Sequence, residues 1–243
     1  MKVVGVIPAR YGSTRLPGKP LADIHGKPMI WWVYQRVKMV DVFQDIYVAT
    51  DDIRIQQYCN EFGIPSVITG SHHLTAANRL QEFSETISAD FYVQLNGDEP
   101  LINCDAIRAV IPKHIPQDIE FGTNVITPIT DPGQLMDSSN IKMVFDENMN
   151  ALYMSRTPIP YPFKKIEFPY YKHVGIIGYN KKMLDFYKNS TPGRFEQIEG
   201  IDTLRFLDYG KQLQLCIVEN CHSLSVDTIK DLELVRVMIK EQL

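Results

Sequence analysis

Val3-Val4-Gly5-Val6-Ile7-Pro8-Ala9-Arg10-Tyr11-Gly12-Ser13-Thr14-Arg15-Leu16-Pro17-Gly18-Lys19-Pro20 decides how this chain is read. Its apolar opening, residues 3–7, predicts a buried strand ended by a breaker. The loop that follows carries Arg10, Arg15 and Lys19 within ten residues, with Gly12 and Gly18 between them. Cations and flexible backbone at the carboxyl end of a first strand suit a polyphosphate. Glycine lets N–H groups approach oxygen, and the cations neutralise it. A P-loop would need four residues between its glycines and then Lys-Ser/Thr. Here five separate Gly12 from Gly18, and Lys19 is followed by Pro20, which offers neither N–H nor hydroxyl. The dinucleotide fingerprint G-x-G-x-x-G is absent as well. A plain polar surface loop is the alternative, but three cations directly after strand one favour phosphate binding.

Outward from that loop, Ile30, Val33, Tyr34 and Val37 recur at i, i+3, i+4 and i+7 and predict a helix over 29–40, with Pro28 suited to its first turn. Residues 46–50 read as a second strand. Asp51 and Asp52 then stand where a helix over 54–62 begins, a pair better suited to capping than to metal. Residues 64–68 read as a strand, 79–87 as a helix, and 91–95 as a fourth strand ending in Asn96-Gly97-Asp98-Glu99-Pro100. This alternation predicts a three-layer, Rossmann-like α/β fold with a mostly parallel sheet. Right-handed crossovers put the loops after strands one and four on one edge, where ligands of open α/β sheets bind, so the loop cations and Asp98 can meet.

From about Phe121 the pattern changes. Residues 141–145 and 151–154 read as a hairpin, 157–162 as a proline-rich irregular segment and 173–179 as a further strand. Within a single domain over 1–243, roughly 130–190 is expected as a small inserted subdomain suited to dimer contact. The chain closes with a strand over 213–218, the segment Ser223-Leu224-Ser225-Val226-Asp227-Thr228, and a helix to about Lys240.

The length of 243 residues and the 44% apolar fraction fit one α/β domain with a real core. A net charge of −4 gives no electrostatic case for nucleic acid. No apolar run approaches the roughly 20 residues of a membrane helix. The first eight residues are too short for a signal peptide. Cys59, Cys104, Cys216 and Cys221 are scattered without Cys-x-x-Cys spacing, which favours neither a zinc site nor a disulfide framework. His72-His73 is expected to lack metal partners at suitable spacing. A soluble cytoplasmic protein is the expectation.

Asp98 is the sharpest single residue. An acid after a buried strand can reach a magnesium ion, which takes oxygen ligands and needs only one or two carboxylates plus phosphate oxygens. Asp227 is the candidate partner. On spacing alone Asp227 or Thr228 caps the last helix, since Thr228-x-x-Asp231 resembles a capping box. Glu99 is expected to orient its loop. Arg79 and Arg156 are candidate carboxylate clamps, and composition leaves each open to being a surface arginine. His173 alone reads as a satisfied strand histidine.

Residues 8–21 closely resemble the amino-terminal signature of the 3-deoxy-manno-octulosonate (KDO) cytidylyltransferases. Asp23-Ile24-His25-Gly26-Lys27-Pro28-Met29-Ile30 fits as well, and the likeness runs nearly end to end. The resemblance implies a nucleotidyltransferase fold with CTP along the first loop, bound by Ala9, Arg10, Ser13, Arg15, Lys19 and Asn96. It implies Lys19, Asp98 and Asp227 as catalytic residues and Mg2+ on Asp98 and Asp227, because the family's second magnesium carboxylate falls in Val226-Asp227-Thr228. Arg79, Arg156 and His173 match family substrate-pocket positions, and Tyr179 and Glu196 carry over in the same way. The implied reaction is attack of a sugar acid's anomeric hydroxyl on the α-phosphorus, with pyrophosphate leaving. Catalysis of that kind is positioning plus charge stabilisation. A homodimer serving lipopolysaccharide or capsule synthesis is implied too.

The chain departs from the family where His-x-Ser-Gly-Thr-Asp/Glu-Arg becomes His73-Leu74-Thr75-Ala76-Ala77-Asn78-Arg79. Ala76 closes off any φ > 0 conformation needed there, and Ala77 removes a hydroxyl. The family's Gln-Gly-Asp-Glu-Pro begins with Asn96, one methylene shorter, and its acid-rich helix becomes Glu196-Gln197-Ile198-Glu199-Gly200-Ile201-Asp202-Thr203-Leu204-Arg205. One lost polar contact can change discrimination by orders of magnitude. The expected acceptor is therefore KDO, an amino or deoxy variant, or a different acid. A nucleotide-binding protein without turnover and a glycosyltransferase are the competing readings. The cation-rich first loop argues against the glycosyltransferase, since a triphosphate needs more positive charge than a diphosphate-sugar.

Overall fold

Alternation along β1 (Val3–Ala9) sends Val3 and Ile7 into one hydrophobic layer and Val4 and Val6 into the other, so the strand is buried on both faces. The structure is a computed structural model describing residues 1–13, 15–164, 167–221 and 224–241. Thr14 of the first loop and Ser223 of the closing segment lie outside the described residues.

After β1 come a 3-10 turn at Lys19–Leu21 and a two-residue ribbon, β2 (Asp23–Ile24) and β3 (Lys27–Pro28). The chain then alternates as the apolar pattern predicts: α1 (Met29–Lys38), β4 (Asp45–Thr50), α2 (Ile53–Glu61), β5 (Ser66–Ile68), α3 (Ala76–Thr86) and β6 (Phe91–Leu95). Ile30, Val33 and Val37 of α1 are fully buried, as their spacing requires. The second half runs α4 (Cys104–Ala109), β7 (Phe121–Pro128), α5 (Pro132–Met136), β8 (Lys142–Phe145), β9 (Ala151–Ser155), β10 (Tyr171–Tyr179), α6 (Lys181–Asn189), α7 (Arg194–Glu199), α8 (Leu204–Asp208), β11 (Gln212–Ile217) and α9 (Ile229–Lys240).

The main sheet has the order β11-β7-β10-β6-β1-β4-β5, with β8 joined to β10 and β9 to β8. β1 is parallel to β4 and β6, β4 to β5, and β7 to β11. β10 alone in this path runs antiparallel to both its neighbours, β6 and β7. Helices α1, α2 and α4 cover one face through Val33, Ile55 and Ile107. Helices α3, α6 and α8 cover the other through Phe83, Leu184 and Phe206.

The stretch 130–190, expected as an inserted subdomain, is divided by this topology. The hairpin β8–β9 stands off the main path, whereas β10 is hydrogen-bonded in the middle of the sheet. A strand buried among neighbours looks the same in sequence whichever way it runs. Lys142 on the hairpin is fully buried, with Nζ donating to the carbonyls of Asp137 (3.0 Å), Asn140 (2.7 Å) and Arg156 (2.5 Å). All four cysteines are free, and burial pushes the thiols of Cys59, Cys216 and Cys221 up to about 11. Among the described residues no helix is long and apolar enough to cross a membrane.

Candidate active site

Two glycines bring the first loop and the loop after β6 together. Gly18 sits at φ +69°, a left-handed conformation, immediately before the 3-10 turn that presents Lys19, and a Cβ there would press on the Tyr11 ring at 3.1 Å. Gly97 lies so close to β1 that a Cβ would stand 2.8 Å from the Pro8 carbonyl oxygen. This close approach carries Asp98 to Lys19, whose Nζ donates to Asp98 Oδ2 at 2.6 Å.

Asp227 arrives from the other end of the chain. The Val226 amide donates to the Asp98 carbonyl at 2.9 Å, fixing the two acid-bearing segments to each other. Thr228 and Asp231 form the capping box of α9, so the cap falls to Thr228 and the Asp227 side chain is left to face the loop. Lys19 Nζ donates to Asp227 Oδ1 at 3.2 Å, and Arg15 lies 3.0 Å from the same oxygen. Lys19 thus bridges two carboxylates while only 14% exposed.

Around this triad opens a pocket of about 360 Å³. Its lining includes Ala9, Arg10, Ser13, Arg15, Lys19, Asn96, Asp98, Asp227 and Arg79, so the expected nucleotide and metal residues share one cavity. Asn96 Nδ2 donates to Glu99 Oε1 at 2.9 Å, the loop-orienting contact expected of Glu99. Ser13 Oγ accepts from the Leu16 amide at 3.4 Å.

The expected acceptor residues are placed differently. Arg79 borders the pocket but spends its guanidinium on Asp51 (2.9 Å) and Thr69 Oγ1 (2.5 Å). Asp52 caps α2 by accepting from the Arg54 amide at 2.9 Å, so the aspartate pair divides between capping and this ion pair. Arg156, His173, Tyr179 and Glu196 are not part of this pocket's lining. Arg156 donates to the carbonyls of Glu199 (2.7 Å), Ser138 (2.9 Å) and Gly200 (3.1 Å). Glu196 forms a two-pronged buried pair with Arg205, both contacts at 2.7 Å. Tyr179 is fully buried, and burial holds its hydroxyl well above the usual tyrosine range. Burial lowers His173 to about 4, so its imidazole is neutral at pH 7.

The far wall of the pocket is His73, Leu74, Thr75 and Ala76. The sequence marks this stretch as a diverged part of the acceptor pocket without naming His73, Leu74, Thr75 or Ala76 as site residues. Its signal was Thr75, which caps α3 by accepting from the Asn78 amide at 3.1 Å, turning the positive end of a helix toward the cavity. Ala76 is the first residue of α3, so no left-handed conformation is asked of it. His72-His73 requires a correction. The sequence offers it no metal partner, but the fold supplies Glu82 from α3, and the ligand atoms of the three residues lie within 4.8 Å of one another.

A family model described as cytidylyltransferase matches residues 4–224. An 8-amino-3,8-dideoxy-manno-octulosonate cytidylyltransferase of Shewanella pealeana is 40% identical over 221 residues, 89% of this chain and 90% of the relative. The protein of the same name from Shewanella halifaxensis is 38% identical over 96% of this chain and 97% of its own. Among solved structures, a CMP:2-keto-3-deoxy-manno-octonic acid synthetase complexed with CTP superposes with a TM-score of 0.93 at 36% identity, covering both chains in full. An inositol-1-phosphate CTP transferase from T. maritima shares the fold with a TM-score of 0.68 at 15% identity, covering 98% of this chain and 94% of its own.

Proposed function

The chain belongs to the cytidylyltransferase family, and on that premise we propose that it transfers CMP from CTP to an eight-carbon 3-deoxy-manno sugar acid, releasing pyrophosphate. The observation that carries this reading is Lys19 held between Asp98 and Asp227 in a pocket that also contains Arg10 and Arg15.

In this reading CTP lies along the first loop. Arg10, Arg15 and Lys19 neutralise the triphosphate, and Ser13 adds a hydrogen bond. The acceptor's anomeric oxygen bonds to the α-phosphorus as the bond to the β-phosphate oxygen breaks. Pyrophosphate leaves with its charge held by the same cations. The paired carboxylates fit a hard divalent cation, since both reach one ammonium within 3.2 Å and offer only oxygen. Asp98 and Asp227 are therefore the residues that would hold Mg2+, which when bound supplies charge stabilisation at the α-phosphate and acidifies the attacking hydroxyl.

For the acceptor, the names of the relatives point to the 8-amino-3,8-dideoxy acid and that of the structural neighbour to KDO. Of the changed stretch, Leu74, Thr75 and Ala76 line the pocket where such a choice would be made. Arg79, Arg156, His173, Tyr179 and Glu196 are assigned to the acceptor side on the resemblance alone. Arg79 is held by its pair with Asp51, Arg156 by carbonyls and Glu196 by Arg205, which suits these three to fixed positions in the fold. The resemblance also gives a cytoplasmic homodimer serving lipopolysaccharide or capsule synthesis, and the exposed rings of Tyr161 and Phe163 support a dimer contact.

The test is pyrophosphate release from CTP and Mg2+ with each of the two acids, beside Asp98→Ala. Release with one acid, reduced at least about 100-fold in the variant, is the expected result. CTP binding without release on either acid would overturn the acceptor assignment. Absence of CTP binding would overturn the nucleotide site.

A further inference from the structure

We infer that His72, His73 and Glu82 form a binding site for a transition-metal ion of the Zn2+ type, on the outer wall of the pocket and separate from Asp98 and Asp227. Three independent features of the fold build it. First, a turn after β5 sets the two consecutive imidazoles on one side, with ring centroids 4.4 Å apart. Consecutive residues of an extended chain would point to opposite sides. Second, the His72 ring fills the space left open by Gly70. A Cβ at Gly70 would stand 2.5 Å from His72 Nδ1 and 3.3 Å from Glu82 Oε2, so that glycine admits the ring beside the carboxylate. Third, Glu82 is already oriented. Its two oxygens accept from the Gly70 amide at 3.1 and 2.9 Å, and its Oε2 meets His73 Nε2. An ion bound by all three side chains would replace this direct His73–Glu82 contact, while the Gly70 amide keeps the carboxylate facing the two rings.

The donor chemistry separates this site from the catalytic one. Two imidazoles and one carboxylate suit zinc, with nitrogen and oxygen ligands at about 2.0–2.2 Å and a further position left open. Imidazole selects such ions over magnesium, whereas the all-oxygen pair Asp98–Asp227 suits magnesium. The Arg79 guanidinium, which reaches the Gly70 carbonyl at 3.5 Å, is paired with Asp51 at 2.9 Å, so its charge is compensated locally. Exposed His72 gives the ion an entry, while His73, whose side chain is 8% exposed, also lines the pocket. A bound ion therefore ties the pocket wall at 70–75 to α3.

The experiment is calorimetric titration of the full chain with ZnCl2, repeated on His72→Ala, Glu82→Gln and Asp98→Ala, with Co2+ absorption as a second readout. The expected result is one Zn2+ per chain in the unaltered protein and in Asp98→Ala. Affinity should fall at least tenfold in His72→Ala and Glu82→Gln, and the Co2+ ligand-field band should disappear in His72→Ala. His72 is exposed, so that variant keeps its fold, which circular dichroism checks. Unchanged zinc affinity in His72→Ala, or its loss in Asp98→Ala, would overturn the assignment. The readout is metal binding, so the inference stands or falls independently of pyrophosphate release.

Discussion

Lys19 holds two carboxylates that would otherwise repel each other across a partly buried site, where the Asp98 side chain is only 27% exposed. Its contact with Asp98 at 2.6 Å and with Asp227 at 3.2 Å makes it the fixed positive charge of the pocket. Lys19→Met removes that charge at similar volume. Turnover should fall about 100- to 1,000-fold, the scale for deleting one preorganised electrostatic contact to a developing charge. Steady-state kinetics with saturating Mg2+ measures this, and a change below threefold would refute the role. His173 makes a different prediction, about stability. Unfolded, the imidazole takes up a proton near 6.5, and folded only near 4, because burial disfavours the charged form. Between those values the unfolded chain binds more protons, so stability declines as pH drops from about 6.5 to about 4 and this contribution is constant below. The loss across that whole range is on the order of 3 kcal/mol. Urea unfolding at about pH 7 and about pH 5 should show a smaller difference for His173→Gln than for the unaltered chain. An equal difference would assign the pH dependence to other groups.

At the level of elements, helix ends do most of the aiming. The α9 cap is reciprocal. Thr228 Oγ1 accepts from the Asp231 amide at 3.3 Å, while Asp231 Oδ2 accepts from the amides of Thr228 at 2.8 Å and Asp227 at 3.1 Å. The cap therefore grips the backbone of Asp227 itself. Thr228→Ala should cost about 1 kcal/mol in unfolding free energy and also lower turnover, with Thr228→Ser restoring both. Stability lost with turnover unchanged would show that the cap does not aim Asp227. This box was legible as Thr228-x-x-Asp231, and so was the Asp52 cap of α2. What local pattern could not give was the division of labour: that Thr228 takes the cap and releases Asp227 follows from where α9 meets the loop after β6. The same holds for Ala76. Read from sequence it threatens a left-handed glycine position, but in the fold it starts α3, where alanine is favourable.

In the whole molecule, the parallel half β1-β4-β5-β6 was legible because apolar runs and helical spacing repeat there, and right-handed crossovers then fix one ligand edge. The direction of β10 was not, since a buried run carries no mark of polarity, and its place between β6 and β7 divides the expected 130–190 unit. Ion pairs such as Arg79–Asp51 and Glu196–Arg205 were also out of reach, because they depend on which side chains the fold makes neighbours. The segment after β9 raises the question that only the assembled molecule answers. Tyr161 and Phe163 are 83% and 80% exposed, flanked by Pro158, Pro160 and Pro162, which stiffen the backbone and withhold hydrogen-bond donors. Aromatic rings of that size gain roughly 1.5–3 kcal/mol each when fully buried. In the homodimer proposed above, a second copy of the chain would cover them. Light scattering should then give twice the chain mass for the unaltered protein. Phe163→Asp should shift it to the single-chain mass at the same concentration, with an unchanged far-ultraviolet dichroism spectrum because the ring packs outside the core. A dimer that survives Phe163→Asp would move the contact to another face, and a monomeric unaltered protein would remove the dimer from the proposal.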